Sequence, residues 1–315
     1  MSVTATRDRL VPADGAPLLR HPGPVAAERV VVVPARLRPH TEVLPAGVPL
    51  LEALAGLLAR TGASAASGEL VGGELASFSY FVPDVGAPGG PVANFSAPRA
   101  GSAPARLVHG GLTLGHRDGE VFSHSHALFV GADGERRAGH LIPDSVVLGE
   151  GVTARVWTSV DVDLRVEHDP ETTMSLFVPQ RVRAAGTHDE RDVDALLCRV
   201  RPNVDLVGVV EHLVAEAGWA AAAVRGQIGS LVGARLGGEG GTIAVDGPAT
   251  EVMHVGGTVV REDDGVRARL TADLVDRHGA VHSGALLPGL NPVAMTYELV
   301  LTRLDAAAAG GGASA

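Results

Sequence analysis

Residues 122–141 read FSHSHALFVGADGERRAGHL, and the pattern of this stretch predicts its local fold. Polar and apolar residues alternate along its first part, which is typical of a β-strand, so His124 and His126 point to the same face. The Ala-Asp-Gly sequence at 132–134 suits a three-residue hairpin loop, with glycine at the position that needs a left-handed backbone. Counting outward from this loop places His140 opposite His126. The stretch therefore predicts a β-hairpin that carries three histidines on one face.

The three histidines form a candidate metal site. Directly opposed residues on paired strands have Cβ atoms about 4.5–5.5 Å apart, close enough for His126 and His140 to hold one ion, with His124 next on the same face. Three neutral imidazoles without a thiolate suit zinc, or another divalent transition metal, and leave positions open to water or substrate. Open sites of this kind are typical of catalytic metals. The alternative is a solvated hairpin face that carries histidines without an ion.

Composition excludes several classes of chemistry. The chain has 315 residues, of which 45% are hydrophobic, enough for the cores of two domains. Its 26 basic residues are all arginine, which excludes a Schiff-base lysine, a pyridoxal phosphate anchor and a P-loop. Cys198 is the single cysteine, so neither an intrachain disulfide nor a multi-cysteine zinc site can form. The net charge is −10 and no arginine-rich run is present, so we expect no nucleic-acid partner.

The ends of the chain show no targeting signal. Residues 1–20 lack an apolar run, and no later stretch approaches the about 20 apolar residues that span a bilayer. We therefore expect a cytoplasmic protein without a membrane partner. Residues 1–28 are rich in proline, alanine and charge, and 306–315 are of low complexity, so we expect a flexible N-terminal segment and a disordered tail.

The pattern between these ends repeats. A strand at 30–33, a helix at 49–61 and a strand at 69–82 open the first copy, and a strand at 199–203 and a helix at 205–217 open the second. The predicted fold class is α+β, with two tandem copies that each combine a mostly antiparallel sheet with a packed helix. The predicted boundaries are 29–180 for the first domain, 181–195 for a linker and 196–305 for the second domain.

The two copies differ at the histidines. In the second copy the aligned positions hold Arg269, Thr271 and Ala285, which cannot bind the same ion. We therefore expect one ion per chain, with the second copy either structural or completing a pocket around the first. The first copy also has a long loop at 83–105, rich in proline and glycine, and loops of that length are usually functional or disordered.

Two arginines and one glutamate are further candidates. Arg36 and Arg38 precede the first helix and could clamp a substrate carboxylate in bidentate fashion. Surface ion pairs are the alternative. Glu69, at the glycine-marked start of the second strand, could be a general base near the metal, or a solvated carboxylate at a strand end.

Aromatic residues make up only 3% of the chain, and Phe78 and Tyr80 lie close together in the first copy. They could wall an apolar substrate pocket, although core packing is the commoner reason for such a cluster. His109, before two glycines, is a weaker candidate for the same pocket. Its alternative is a hydrogen-bonded histidine within a strand.

The pattern His124-x-His126, followed by Asp133-Gly134 and by Gly139-His140-Leu141, resembles the PPC domain (plants and prokaryotes conserved domain, also written PCC). The resemblance covers residues 30–165 and, more weakly, 196–304. It implies an α+β fold with an antiparallel sheet, a metal on these histidines and assembly of single-domain members as trimers. A tandem chain could then form a trimer, which is a pseudo-hexamer of domains, or could pair its copies internally. Plant members carry AT-hooks, and this chain has no Arg-Gly-Arg hook.

Three functional hypotheses follow. The first is a metal-dependent, non-redox enzyme of the lyase, isomerase or hydrolase type, acting on a small carbonyl- or carboxylate-bearing metabolite. In it, Arg38 orients an anionic group and Glu69 carries a proton. The second is a non-catalytic, homo-oligomeric ligand-binding or regulatory module with a structural metal. The third is a DNA-associated protein.

Overall fold

The computed structural model describes residues 10–182 and 193–305, which we call the first half and the second half. Expectations for residues 1–9, for the larger part of the predicted linker and for the tail at 306–315 lie outside the described residues. Within the described part, 23 β-strands accompany two α-helices, so antiparallel β-structure dominates and each half has one helix.

The elements of the first half include one helix and fifteen strands. In chain order they are β1 (Val30–Ala35), β2 (Arg38–Val43), α1 (Leu50–Thr61), β3 (Ala65–Val71), β4 (Glu74–Ser77), β5 (Ser79–Phe81), β6 (Pro83–Val85), β7 (Ala93–Phe95), β8 (Arg99–Ala100), β9 (Ala105–Arg117), β10 (Glu120–Val130), β11 (Arg136–Leu141), β12 (Val147–Leu148), β13 (Thr153–Ser159), β14 (Val162–Asp169) and β15 (Met174–Arg181).

The second half has one helix and eight strands. In chain order they are β16 (Ala195–Val200), α2 (Leu206–Glu216), β17 (Ala221–Leu231), β18 (Ala234–Gly238), β19 (Gly241–Val245), β20 (Thr250–Glu262), β21 (Gly265–Val275), β22 (Val281–Leu286) and β23 (Val293–Arg303).

Two large sheets organise these strands. The first runs β2-β13-β3-β9-β10-β11-β5-β8, with β4, β12, β14 and β15 attached to it. The second runs β1-β16-β23-β17-β20-β21-β22-β18-β19. All but one of their strand pairs are antiparallel; β14 and β9 share a single parallel bridge. The first strand of the chain, β1, does not join its own half, because it pairs with β16 along its whole length.

The helices form where the leucine and valine spacing predicts them. Helix α1 starts at Leu50 and is followed by Gly62, whose φ of 63° suits glycine as a helix C-cap. Helix α2 is capped by Asp205, whose carboxylate accepts a hydrogen bond from the backbone N–H of Gly208 at 2.8 Å. Each helix buries its apolar face in the core of its own half.

The strand predicted at 69–82 is interrupted. Gly72 and Gly73 have φ values of 64° and 72°, so the chain turns between β3 and β4 instead of continuing extended. The same stretch is divided again before β5. The prediction of one long strand was therefore wrong in extent, because two consecutive glycines adopt the left-handed conformation.

The two sheets pack against each other through β9 and β3 of the first half and β17 and β20 of the second. Gly111 makes this approach possible, since a Cβ atom there would lie 2.8 Å from Cγ1 of Ile228. Met253 and Val275 of the second half are buried within the core cluster of the first. Across residues 10–182 and 193–305, no helix has the length and apolarity needed to span a membrane.

Candidate metal centre

The predicted histidine hairpin is present in the structure. Strands β10 and β11 pair with His126 directly opposite His140, and Gly134 in the connecting loop has a φ of 81°. His124 lies two residues before His126 on the same face of β10. The alternation of the sequence and its turn thus bring the three side chains together as expected, and we call them the histidine cluster.

Three ring nitrogens converge at the centre of this cluster. His126 Nε2 lies 3.0 Å from His124 Nε2 and 3.2 Å from His140 Nδ1. All three candidate ligand atoms lie within 4.8 Å of one another. His126 is only 2% exposed, and the other two rings are partly buried. The cluster could therefore hold a metal ion between its rings.

The second half fixes the orientation of two rings. His126 Nδ1 donates to the backbone carbonyl of Val252 at 2.8 Å, and His124 Nδ1 donates to Glu298 Oε1 at 2.9 Å. Each bond places the ring proton on the outer nitrogen, which leaves the lone pair of Nε2 facing inward. Carboxylate and carbonyl partners of this kind commonly support metal-ligating histidines.

This arrangement fits a cation. With the outer nitrogens protonated, the Nε2 atoms of His124 and His126 are both acceptors, so their 3.0 Å separation brings two lone pairs together without a proton between them. A positive ion between the rings would turn this repulsion into coordination. Burial, together with the neighbouring His124, lowers the pKa of His126 and of His140 well below the usual range. These two imidazoles are therefore held in the neutral form that binds metals.

A carboxyl group that the sequence analysis missed lies beside the cluster. Glu251 Oε1 is 3.7 Å from His126 Nε2 and 3.8 Å from His140 Nδ1. Its Oε2 is buried without a hydrogen-bond partner among the described residues, and burial raises the pKa of Glu251 to about 8. Glu298 stands in the largely apolar strand β23, and a single acidic residue within such a run is the signal that could have identified it. Glu251 stands in the more polar strand β20, whose sequence gives no such signal.

A cavity of about 60 Å³ opens from the cluster. Its wall includes Phe95, whose ring centroid lies 4.6 Å from that of His140, and Met174 and Met295. Phe95 belongs to the predicted 83–105 loop, which folds here into three short strands, β6 to β8. The loop therefore supplies part of the apolar wall. The Thr296 hydroxyl also faces this region, buried and with no hydrogen-bond partner among the described residues.

Glu69 and His109 lie away from this cavity. Glu69, Gly111 and His126 are paired in one row across three strands, so Glu69 stands two strand spacings, roughly 10 Å, from His126. The side chains of the second half that pack over Gly111 separate the two. His109 Nε2 is 2.9 Å from Asp273 Oδ2 and does not join the histidine cluster.

The arginines and aromatic residues selected from the sequence also lie elsewhere. Arg36 and Arg38 are exposed and do not line the cavity beside the histidines, so neither is placed to orient a substrate there. Phe78 and Tyr80 are core residues, packed edge-on against Phe129 at centroid distances of 4.7 and 5.1 Å. Side chains alternate along a strand, so the ring that points toward the histidines is Phe81, which stacks on Phe95.

A protein-family model matches part of the chain. Residues 188–305 match the family model of the Plants and Prokaryotes Conserved (PCC) domain. The second half of the chain therefore matches the PCC domain. The resemblance inferred from the sequence is thus confirmed for residues 188–305. The match does not extend to residues 30–165, where the histidine hairpin lies. No curated protein matches the chain.

Several solved structures are similar to parts of this chain. A metal-containing protein from Archaeoglobus fulgidus has 19% identity and a TM-score of 0.39, covering 47% of this chain and 98% of its own. A PPC protein from Pyrococcus horikoshii has 16% identity and a TM-score of 0.35, covering 50% and 99%. A candidate DNA-binding protein from Ralstonia eutropha has 19% identity and a TM-score of 0.36, covering 44% and 89%.

The last of these comparisons corrects one expectation. The composition of the chain led us to expect no nucleic-acid partner. A similar structure that is described as a candidate DNA-binding protein contradicts this expectation, and we withdraw it.

Proposed function

We propose that the chain is a metal-dependent, non-redox enzyme of the lyase, isomerase or hydrolase type, acting on a small carbonyl- or carboxylate-bearing metabolite. The observation that supports this most is the convergence of three imidazoles beside a buried carboxyl group that has an unpaired oxygen. Two of these rings, His124 and His126, are held in place by hydrogen bonds from their outer nitrogens. A purely structural ion would normally be closed by a fourth protein ligand and would not need this opening to a cavity.

Each residue of the candidate site would have a separate role in the reaction. His124, His126 and His140 would hold the metal, and zinc suits an all-imidazole site. The ion would supply Lewis-acid polarisation of a substrate carbonyl. Glu251 would carry a proton at its Oε2, and the unpaired hydroxyl of Thr296 would donate to a substrate oxygen.

The decisive variant is Glu251→Gln. General acid–base groups contribute about 10²–10⁴-fold to rate, so we expect turnover to fall at least about 100-fold while the metal stays bound. Untagged protein would be analysed for metal by mass spectrometry and screened against small 2-oxo acids, esters and lactones by NMR.

Glu262→Gln is the matched control, because Glu262 lies on the same strand, β20, and its carboxylate pairs with the exposed Arg269. It should leave both metal content and turnover unchanged. Wild-type protein without a stoichiometric transition metal, or unchanged turnover in Glu251→Gln, would overturn the proposal.

We also infer that the two halves are tandem copies of one domain, with the boundaries 29–180 and 196–305. Two features support this interpretation. Both halves follow one helix with a series of antiparallel strands, and Thr271 opposes Ala285 in the second half as His126 opposes His140 in the first.

DNA association is a second candidate, favoured by one surface feature. Arg99, Arg136 and Arg137 line a cleft of about 240 Å³ together with His278, and we call it the arginine cleft. Arg137 pairs with Asp133, but Arg99 has no carboxylate within 4.0 Å among the described residues. Arg99 lies on β8, and Arg136 and Arg137 lie on β11, with β5 between the two strands. Guanidinium groups grouped in this way suit the phosphates of a duplex.

Binding of duplex DNA should depend on salt and on this cleft. Each lost phosphate contact reduces the slope of log K against log salt by about 0.9, so Arg99→Gln with Arg136→Gln should reduce it by about 2. Fluorescence anisotropy between about 50 and 200 mM salt measures both quantities. Arg267→Gln, an exposed arginine elsewhere, is the control. Absence of binding at the lowest salt would exclude this candidate.

A further inference from the structure

A second cleft lies beside Glu69, on the other side of the packing around Gly111 from the histidine cluster. It has a volume of about 280 Å³ and is bounded by Glu69 and Trp157 of the first half and by Arg225 and His254 of the second. None of these residues takes part in the proposed metal chemistry. The cleft is therefore a separate feature of the junction between the halves.

Arg225 supplies a partly buried cation at one side of this second cleft. Its Nε donates to Thr302 Oγ1 at 3.2 Å, and its guanidinium carbon lies 4.5 Å from the centroid of the Trp157 ring. No carboxylate lies within 4.0 Å of it, and its terminal nitrogens make no hydrogen bond, among the described residues. Burial lowers the pKa of Arg225, and the charge of Glu69 offsets part of this effect without a close contact between the two groups. A guanidinium that lies over an indole ring and has unbonded terminal nitrogens can present its fork to a carboxylate.

The opposite side of the second cleft carries negative charge. The carboxylate of Glu69 lies 4.0 Å from the guanidinium nitrogen Nη1 of Arg155 and 4.0 Å from His254 Nδ1, and both distances are beyond hydrogen-bond distance. Burial and the neighbouring His109 lower the pKa of His254, so this ring is neutral near pH 7. Glu69 therefore offers a charged acceptor that nothing described nearby neutralises by a hydrogen bond.

Arg225 and Glu69 line the same cleft, but no salt bridge within 4.0 Å joins them. We infer that the second cleft binds a small zwitterion such as an α-amino acid, with its carboxylate on Arg225 and its protonated amine on Glu69. A simple anion would be repelled by Glu69, and a simple cation would be repelled by Arg225. A molecule that carries both charges satisfies both groups at once, and Trp157 provides an apolar wall for its side chain.

Isothermal titration calorimetry on the full-length protein tests this site. The probes are glycine, L-alanine and L-phenylalanine, with propionate and propylamine as compounds that carry only one of the charges. We expect at least one amino acid to bind, and both single-charge compounds to bind at least about tenfold more weakly than it. Arg225→Gln and Glu69→Gln should each weaken amino-acid binding at least about tenfold.

Arg155→Gln is the matched control, because Arg155 is also close to Glu69 but does not line the cleft. It should change the affinity less than about twofold. If Arg225→Gln does not fold, Arg225→Lys replaces it as the test. Lysine keeps the positive charge but lacks the two parallel N–H donors of the guanidinium, so amino-acid binding should again weaken at least about tenfold. Two results would overturn the inference. One is that calorimetry detects no heat of binding with any of the amino acids. The other is that propionate binds tightly and still does so in Glu69→Gln.

Discussion

Replacement of His140 by alanine is expected to reduce the metal content of the purified protein from one ion per chain to background. His140 is the ligand whose removal disturbs the fold least, because its Nε2 makes no hydrogen bond among the described residues, whereas the ring of His126 also binds the carbonyl of Val252. Loss of an outer partner of a metal ligand costs about 10–100-fold in affinity, so loss of the ligand itself should cost at least about 100-fold. Mass spectrometry of untagged protein and competition with a chelating dye measure the content and the affinity.

Two further variants make this result specific. Glu298→Gln keeps all three rings but weakens the support behind His124, and should lower metal affinity by about 10–100-fold. His168→Ala removes an exposed histidine on β14 and should change nothing. If His140→Ala and Glu298→Gln retain wild-type affinity, the ion is bound elsewhere and the histidine cluster is not its site.

Replacement of Asp169 by asparagine is expected to destabilise the whole protein by about 3–5 kcal/mol, the usual cost of leaving a buried charge without its partner. Asp169 is 1% exposed at the end of β14. Its Oδ1 lies 2.9 Å from Arg199 Nη2 and 2.6 Å from Arg201 Nη1, and its Oδ2 accepts two hydrogen bonds from Thr172. Both arginines belong to the second half, so the change would also weaken the junction. Urea unfolding followed by circular dichroism measures the loss.

Asp169 also predicts how the stability of the fold changes at acidic pH. Burial alone would raise the pKa of Asp169, but the charge of Arg199 and the hydrogen bonds of Thr172 lower it to about 2. An unfolded aspartate titrates near about 3.9, so the carboxylate contributes its full stabilisation above that pH and loses it as the pH falls through about 2. Wild-type stability should therefore decline in this window more steeply than that of Asp169→Asn. Asp264→Asn, at an exposed ion pair, should follow the wild-type curve.

The hairpin could be predicted because everything that determines it is local. The alternation in β10, the glycine in the loop and the position of His140 lie within one stretch of sequence, and antiparallel pairing fixes which side chains share a face. The helices were predicted for the same reason. Their boundaries differ from the predicted ones by a single residue at the start of α1 and at each end of α2.

The carboxylates of the site could not be predicted in this way. Glu298 contacts His124 across 174 residues of sequence, and Glu251 reaches the cluster only because the two sheets pack face to face. Glu69 was assigned to the site from its position at a strand start. It does share a row with His126, but β9 stands between them and carries Gly111 at that position, which lets the second half fill the gap. Long-range packing, not local pattern, decides these placements.

The division of the site between two unlike halves has a consequence for how such a centre can change over time. In a ring of identical subunits, every substitution appears on both sides of each interface at once. Here the imidazoles belong to one half and the acidic groups behind and beside them, Glu298 and Glu251, belong to the other. One wall can therefore acquire mutations while the opposite wall keeps its three imidazoles, because the two walls are encoded at separate positions of the same chain.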